Sequence, residues 1–227
     1  MAKIGILHTS FVFVTVDPVF RDLFGELLPD VQVIDFVDSD VLAQVRRDGG
    51  VSVSSAERMR HLAQAAEAAG VDIIFSACSS LGPALDEARR AVHVPIVKVD
   101  EAMVEEAVRL GNRIGVLATV PTTLKPTSDL VKAAAALLGR RVETTERLCE
   151  GAFDLLMGGD REAHDAAVLA GAQELARTCE VIVLAQASMA RLAPGLSERT
   201  GKPVLASPRM GVEDLRRRLT QSSTERA

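Results

Sequence analysis

The sequence predicts an α/β protein built as two similar parallel-sheet halves, and three observations carry that expectation. First, short Val- and Ile-rich runs alternate with longer helical patterns, the mark of a parallel sheet covered by helices on both faces. Second, the chain repeats itself in order. IGIL from Ile4 returns as IGVL from Ile114, DIIFSACSS from Asp72 as EVIVLAQAS from Glu180, and VPIVKVDEA from Val94 as KPVLASPRM from Lys202. Third, the offsets of these echoes are nearly constant, at 110 (4 to 114), 109 (73 to 182) and 108 (95 to 203). Repetition at one long period implies duplicated architecture, and a cleft between two such halves is a common seat for small-molecule chemistry. The expected division is 1–99 for the first half and 100–207 for the second. A final helix near 208–220 returns to the first half, and 221–227 forms a frayed tail.

The elements follow in order. Lys3 to Leu7 is an apolar strand. Asp17 and Pro18 open a helix whose buried stripe is Phe20, Leu23, Phe24 and Leu27, and Pro29 stops it. Val31 to Val37 is the next strand, and a short helix near Asp40 to Arg47 ends at Gly49 and Gly50. Ser54 and Glu57 have capping-box spacing for a helix running to Ala69, with Gly70 as its stop. Val71 to Ser76 reads as a central parallel strand. Pro83 opens another helix, and Val94 to Val99 is the last strand of the half.

In the second half Asp100 caps a helix to Leu110, and Arg113 to Ala118 is a strand. A Thr- and Pro-rich loop covers 119–127, a helix 128–138 and a strand 141–146. Asp160 caps an Ala-rich helix reaching Thr178. Val181 to Ala185 and Val204 to Ala206 complete the sheet, and a helix spans Val212 to Leu219.

The 227 residues carry a net charge of −5, which gives no electrostatic footprint for nucleic acid. No apolar run approaches the roughly 18 residues needed to span a bilayer. No secretory signal is legible at MAKIGIL. Three widely spaced cysteines, Cys78, Cys149 and Cys179, outline neither a disulfide framework nor a zinc site, so the expected setting is cytoplasmic and reducing. No phosphate loop, dinucleotide fingerprint or metal-ligand spacing occurs, so no cofactor and no metal is expected. The expected partner is a small carboxylate or carbonyl substrate, with a homodimer or larger homo-oligomer as the assembly.

In open parallel sheets, ligands bind beyond the carboxyl ends of the strands. The polar residues just past those ends are His8, Thr9 and Ser10, then Cys78, Ser79 and Ser80. The second half adds Thr119, Thr122 and Thr123, then Gln186 and Ser188. Hydroxyls and helix-start N–H groups suit a carboxylate or carbonyl oxygen, which makes Ser10, Ser79, Ser80, Thr119, Thr122, Thr123 and Ser188 candidate substrate-binding residues. Cys78 lies at a strand-to-helix turn, a position that favours the thiolate as base or nucleophile; the competing reading is a buried, inert cysteine. His8 is either an acid/base partner for Cys78 or a hydrogen-bonded pocket residue. Cys149 and Cys179 have no such setting and read as structural.

SACSSLG from Ser76 and VLAQASMARL from Val183 resemble the aspartate/glutamate/hydantoin racemase superfamily, and IGVLAT from Ile114 resembles its opening of the second half. The resemblance covers essentially the whole chain. It implies two pseudo-symmetric flavodoxin-like α/β halves, each presenting a thiol at the end of its central strand, with substrate in the cleft between them and a Thr, here Thr119, helping to hold it. The closest motif is that of hydantoin racemases, which carry Gly-Cys-Ala-Gly-Met-Ala here. Aligned on Met189 and Ala190, Gln186 stands where that branch has its second cysteine. The internal repeat places Ala187 there instead. On either alignment the second thiol is gone.

Neither a Gln amide nor an Ala methyl exchanges a proton near neutral pH. Two-base racemisation therefore requires a substitute, with Ser188 and His8 as candidates. The resulting expectation is a cofactor-independent isomerase that acts beside a carboxylate or carbonyl, with Cys78, Gln186 and His8 as catalytic candidates. The alternatives are a single-cysteine decarboxylase, a Cys–His hydrolase, and a ligand-binding protein without catalysis. The resemblance implies that arylmalonate decarboxylases keep the thiol of the second half. A decarboxylase built on Cys78 would therefore deliver its proton to the opposite face.

Overall fold

The computed structural model describes residues 1–225. In the first half, β1 (Lys3–His8) leads through a wide helical turn (Val12–Val16) into α1 (Val19–Leu27), β2 (Gln32–Val37), α2 (Val41–Asp48), α3 (Val53–Ala68) and β3 (Ile73–Ser76). A 3₁₀ turn (Ser79–Leu81) runs directly into α4 (Gly82–Ala88), and β4 (Ile96–Lys98) ends the half. The second half continues with α5 (Glu101–Leu110), β5 (Arg113–Ala118), α6 (Pro121–Leu137), β6 (Glu143–Leu148), α7 (Ala152–Met157), α8 (Arg161–Ala176) and β7 (Val181–Leu184). A second 3₁₀ turn (Ala187–Leu192) precedes α9 (Ala193–Thr200), β8 (Val204–Ala206) and α10 (Ser207–Glu225).

Two four-stranded parallel sheets result, ordered β2-β1-β3-β4 and β6-β5-β7-β8. The chain divides into two compact units, residues 1–99 with 208 onward, and residues 100–207. The helix after the fourth strand of the first sheet, α5, thus belongs to the second unit, while α10 belongs to the first.

In unit 1, Phe20 and Phe24 of α1 meet Phe75 of β3 edge to face, at centroid distances of 5.7 and 5.8 Å. The other face of the sheet packs Leu7 and Ile74 against Val41, Val45, Met59, Ala63 and Leu85 of α2, α3 and α4. Alternation along each strand is what divides the two cores. Arg209 of α10 forms a bidentate pair with Glu26 of α1, at 2.9 and 2.7 Å. Gly211 of α10 passes so close to the end of β4 that a Cβ there would lie 2.5 Å from the Val99 carbonyl oxygen. In unit 2, Leu117, Ile182 and Leu184 pack against Val168, Ala172 and Leu175 of α8, with Cys149 and Cys179 buried in the same cluster. Among the described residues no helix is long and apolar enough to cross a membrane.

Four local expectations are corrected. The α3 cap is Ser52, not Ser54: the Ser52 hydroxyl accepts from the Ser55 N–H, and the Ser55 hydroxyl accepts from the Ser52 N–H. The loop expected over 119–127 is helical from Pro121, because a proline at the first helical position forfeits no bond there. Pro126 lies inside α6, where it forfeits the bond to the Thr122 carbonyl, and the helix continues through it. Two short helices, α7 and α9, were not anticipated, since their few residues carry little periodicity. The tail expected from 221 is in part helical, because α10 runs to Glu225; 226 and 227 lie outside the described residues.

Candidate functional site

Each sheet presents its strand ends to a set of short polar turns. In unit 1, the ladder between β1 and β3 pairs Leu7 with Ser76 and continues with the Ala77 N–H donating to the Leu7 carbonyl at 3.2 Å. Cys78 follows in extended conformation (φ −136°, ψ 113°), immediately before the 3₁₀ turn. The cysteine is half-buried and packs against the Leu7–Ile74 core cluster. Ser79 and Ser80 are buried within the 3₁₀ turn. Ser10 turns back on its own loop, its hydroxyl accepting from the Val12 N–H at 3.4 Å.

His8 is 2% exposed. Its Nε2 lies 2.9 Å from a carboxylate oxygen of Asp35 on the neighbouring strand β2. A carboxylate only accepts, so the proton sits on Nε2 and Nδ1 carries the lone pair. That Nδ1 is buried and without a partner. Burial pushes the imidazole pKa below its ordinary value of 6.5, and the Asp35 bond and charge oppose the shift only in part. His8 is therefore a neutral ring with a committed tautomer. It follows Leu7 along the strand, so it points to the other face of the sheet from the cluster that Cys78 packs against. With Nε2 taken by Asp35 and Nδ1 unpartnered, the Cys78–His8 pair weighed from the sequence is not formed.

In unit 2 the corresponding ladder pairs Leu117 with Leu184. Gln186 then stands immediately before the second 3₁₀ turn, extended at φ −141° and ψ 138°. Since Ser76 and Leu184 hold equivalent registers, Cys78 and Gln186 are topological equivalents. This corrects the repeat-based placement of Ala187, which took an offset of 109 by setting 73 against 182: the ladders pair Ile4 with Ile73 and Ile114 with Val181, so the offset at β3/β7 is 108.

The Gln186 side chain spans the strand edge. Its Oε1 accepts from the Thr119 N–H at 2.6 Å and the Val120 N–H at 3.1 Å. Its Nε2 donates to Thr119 Oγ1 at 3.0 Å. Thr119 is buried and its hydroxyl is engaged by Gln186. Thr123 is also buried and donates to the Val120 carbonyl at 2.8 Å, closing the first turn of α6. Thr122 lies half-buried in that turn, and Ser188 half-buried in the turn after Gln186. Arg191, in that same turn, is tied to Asp165 of α8 at 2.7 Å.

A model of the Asp/Glu/hydantoin racemase family matches residues 19–215. The chain belongs to this family. Solved structures share its fold. Glutamate racemase from Francisella tularensis, in complex with D-glutamate, is 16% identical over 98% of this chain and 82% of its own, with a TM-score of 0.75. Allantoin racemase from Pseudomonas fluorescens is 18% identical over 97% and 92%, with a TM-score of 0.66. Arylmalonate decarboxylase is 17% identical over 93% and 91%, with a TM-score of 0.59. No curated protein matches by sequence.

Relative to the sequence reading of this racemase-family chain, two residues are additions. Asp35 holds His8, and Lys98 at the end of β4 is buried with its ammonium 2.9 and 3.1 Å from the two oxygens of Asp86. Asp35 lies on an alternating edge strand, and nothing in the sequence says which carboxylate aligns with His8. Cys149 is buried, and burial pushes its thiol pKa up, as expected of a structural cysteine.

Proposed function

We propose that this racemase-family chain is a cofactor-independent isomerase acting on a carbon beside the carboxylate or carbonyl of a small acid, with Cys78 as its proton-handling group. The observation that carries this is the unequal pair of equivalent positions: a half-buried thiol before the turn of unit 1 and an amide before the turn of unit 2. The thiolate of Cys78 takes a proton from the substrate carbon, and the electron pair of that C–H bond moves onto the adjacent carbonyl oxygen. The thiol then returns the proton, on the same face, to a second atom of the delocalised enolate, so that the proton moves between two positions; return to the original carbon gives exchange without isomerisation. Gln186 orients the substrate and takes no proton, because an amide has none to exchange near neutral pH.

A single-thiol lyase is the second reading, favoured by the same asymmetry and by the structural likeness to arylmalonate decarboxylase. A Cys–His hydrolase is disfavoured, since His8 points to the opposite face of the sheet from the cluster that Cys78 packs against, and its Nδ1 has no partner.

The test is incubation in D₂O of wild type and Cys78→Ser with aspartate, glutamate, hydantoins, allantoin and arylmalonates. Deuterium uptake at one carbon that vanishes in the variant supports the proposal. Uptake unchanged by the substitution removes Cys78 from the mechanism. Loss of CO₂ with deuterium incorporation selects the lyase.

A further inference from the structure

Where β5 turns into α6, the first N–H groups have no carbonyl four residues back to bond. The local sequence offers no cap, since the residue at the cap position is Val120. Gln186 answers from 66 and 67 residues away, its Oε1 receiving the N–H of Val120 at the cap position and that of Thr119 just before it. Backbone N–H groups can only donate. Rotating the amide by half a turn would set NH₂ against two N–H donors and leave both unpaired. The peptide backbone, not the choice between two similar amide poses, therefore decides which end of Gln186 faces inward.

The NH₂ end consequently faces away from the backbone. One of its hydrogens meets Thr119 Oγ1. The other has no acceptor among the described residues, and the side chain is half-buried at the strand edge. The position topologically equivalent to the Cys78 thiol thus holds a hydrogen-bond donor of fixed polarity.

We propose that Gln186 is a specificity-determining residue of unit 2, a backbone-locked amide whose outward N–H selects ligands that set a carbonyl, imide or carboxylate oxygen against it. A thiol can give or take a proton; this group does neither. It can stabilise charge that develops on an oxygen, and a donor aimed at such an oxygen holds an enolate more strongly than its parent carbonyl. Ligands offering only an ammonium or N–H donor at this point are rejected. The inference deepens the proposed function and rests on it only in taking this strand edge to be the ligand-facing one.

The experiment uses the ¹⁵N-labelled full chain, with malonate and uncharged hydantoin as probes. In wild type the Thr119 and Val120 amides exchange slowly with solvent. Gln186→Ala raises their exchange at least about tenfold, the loss of one such hydrogen bond. Gln186→Glu, isosteric and still an acceptor, keeps them protected but has no N–H to offer. Both probes shift the Gln186 Nε2 resonance in wild type, and both bind Gln186→Glu at least about tenfold more weakly, the loss of one ligand hydrogen bond. Weaker hydantoin binding separates the lost donor from the added charge. Equal amide exchange in wild type and Gln186→Ala overturns the inference. So does an Nε2 resonance that neither probe moves, or undiminished binding to Gln186→Glu. Cys78→Ser separates the two claims: unchanged deuterium uptake in that variant defeats the proposed function, while the Gln186 responses stand or fall on their own.

Discussion

Asp35→Ala is the perturbation whose consequence is most fully determined by the structure. It removes the acceptor from the Nε2–H of His8, a ring that is 2% exposed and already carries an unpaired Nδ1. Leaving a buried donor unsatisfied costs about 1–3 kcal/mol. The Asp35 side chain is 47% exposed, so water entering its place recovers part of that, and about 1–2 kcal/mol is the expected loss. For a chain of this size that lowers Tm by about 2–8 °C. The pH dependence has a definite sign. His8 has a folded pKa below its unfolded 6.5, so its contribution to stability is complete above about pH 6.5 and is lost as pH falls through the window between 6.5 and the folded value. Asp35 raises the folded pKa, so removing it lowers that value further and widens the window. The deficit of Asp35→Ala relative to wild type therefore grows on acidification. Differential scanning calorimetry from about pH 8 to about pH 5.5 measures the deficit. Imidazole ¹⁵N shifts report whether Nε2 carries the proton. An unchanged Tm together with an unchanged His8 titration would refute the reasoning.

Gln186→Cys places a thiol at the equivalent of Cys78, and with an acid that exchanges deuterium in wild type it raises racemisation by about 10²-fold, read by chiral chromatography; a folded variant with no gain counts against the equivalence. Ser52→Ala lowers stability by about 1 kcal/mol through loss of the α3 cap, while Ser54→Ala leaves Tm within error, and reversed effects would restore the cap read from the sequence. Gly211→Ala forces a Cβ to 2.5 Å from the Val99 carbonyl oxygen, so α10 must shift off the end of β4 at a cost of about 1–3 kcal/mol. An unchanged Tm in that variant would show that the approach is looser.

Fold class, both central strands and the location of Cys78 were legible because hydrophobic periodicity and repetition are local properties of the chain. The cap of α3 was misplaced by two residues because Ser54/Glu57 and Ser52/Ser55 share the same three-residue spacing, and only the backbone conformation chooses between them. The helix across Pro126 was missed because an internal proline forfeits one helical hydrogen bond and signals a break, and only the packed structure shows α6 running through it. Thr119 was expected to hold substrate, yet its hydroxyl is occupied by Gln186 from 67 residues away. His8 was recognised as unusual, but its charge state was not, since desolvation and the Asp35 bond exist only after β1 and β2 pair.

The sequence by itself determined two repeated α/β halves, their strand edges, and a thiol present in one copy only. The tertiary structure decided that Gln186 rather than Ala187 answers Cys78, that its oxygen is turned inward, and that His8 is neutral and held by a carboxylate on the next strand. The physical reason is range. Periodicity and spacing are written between neighbours along the chain, whereas register, burial and the partner of a buried polar atom arise only when distant strands are brought side by side.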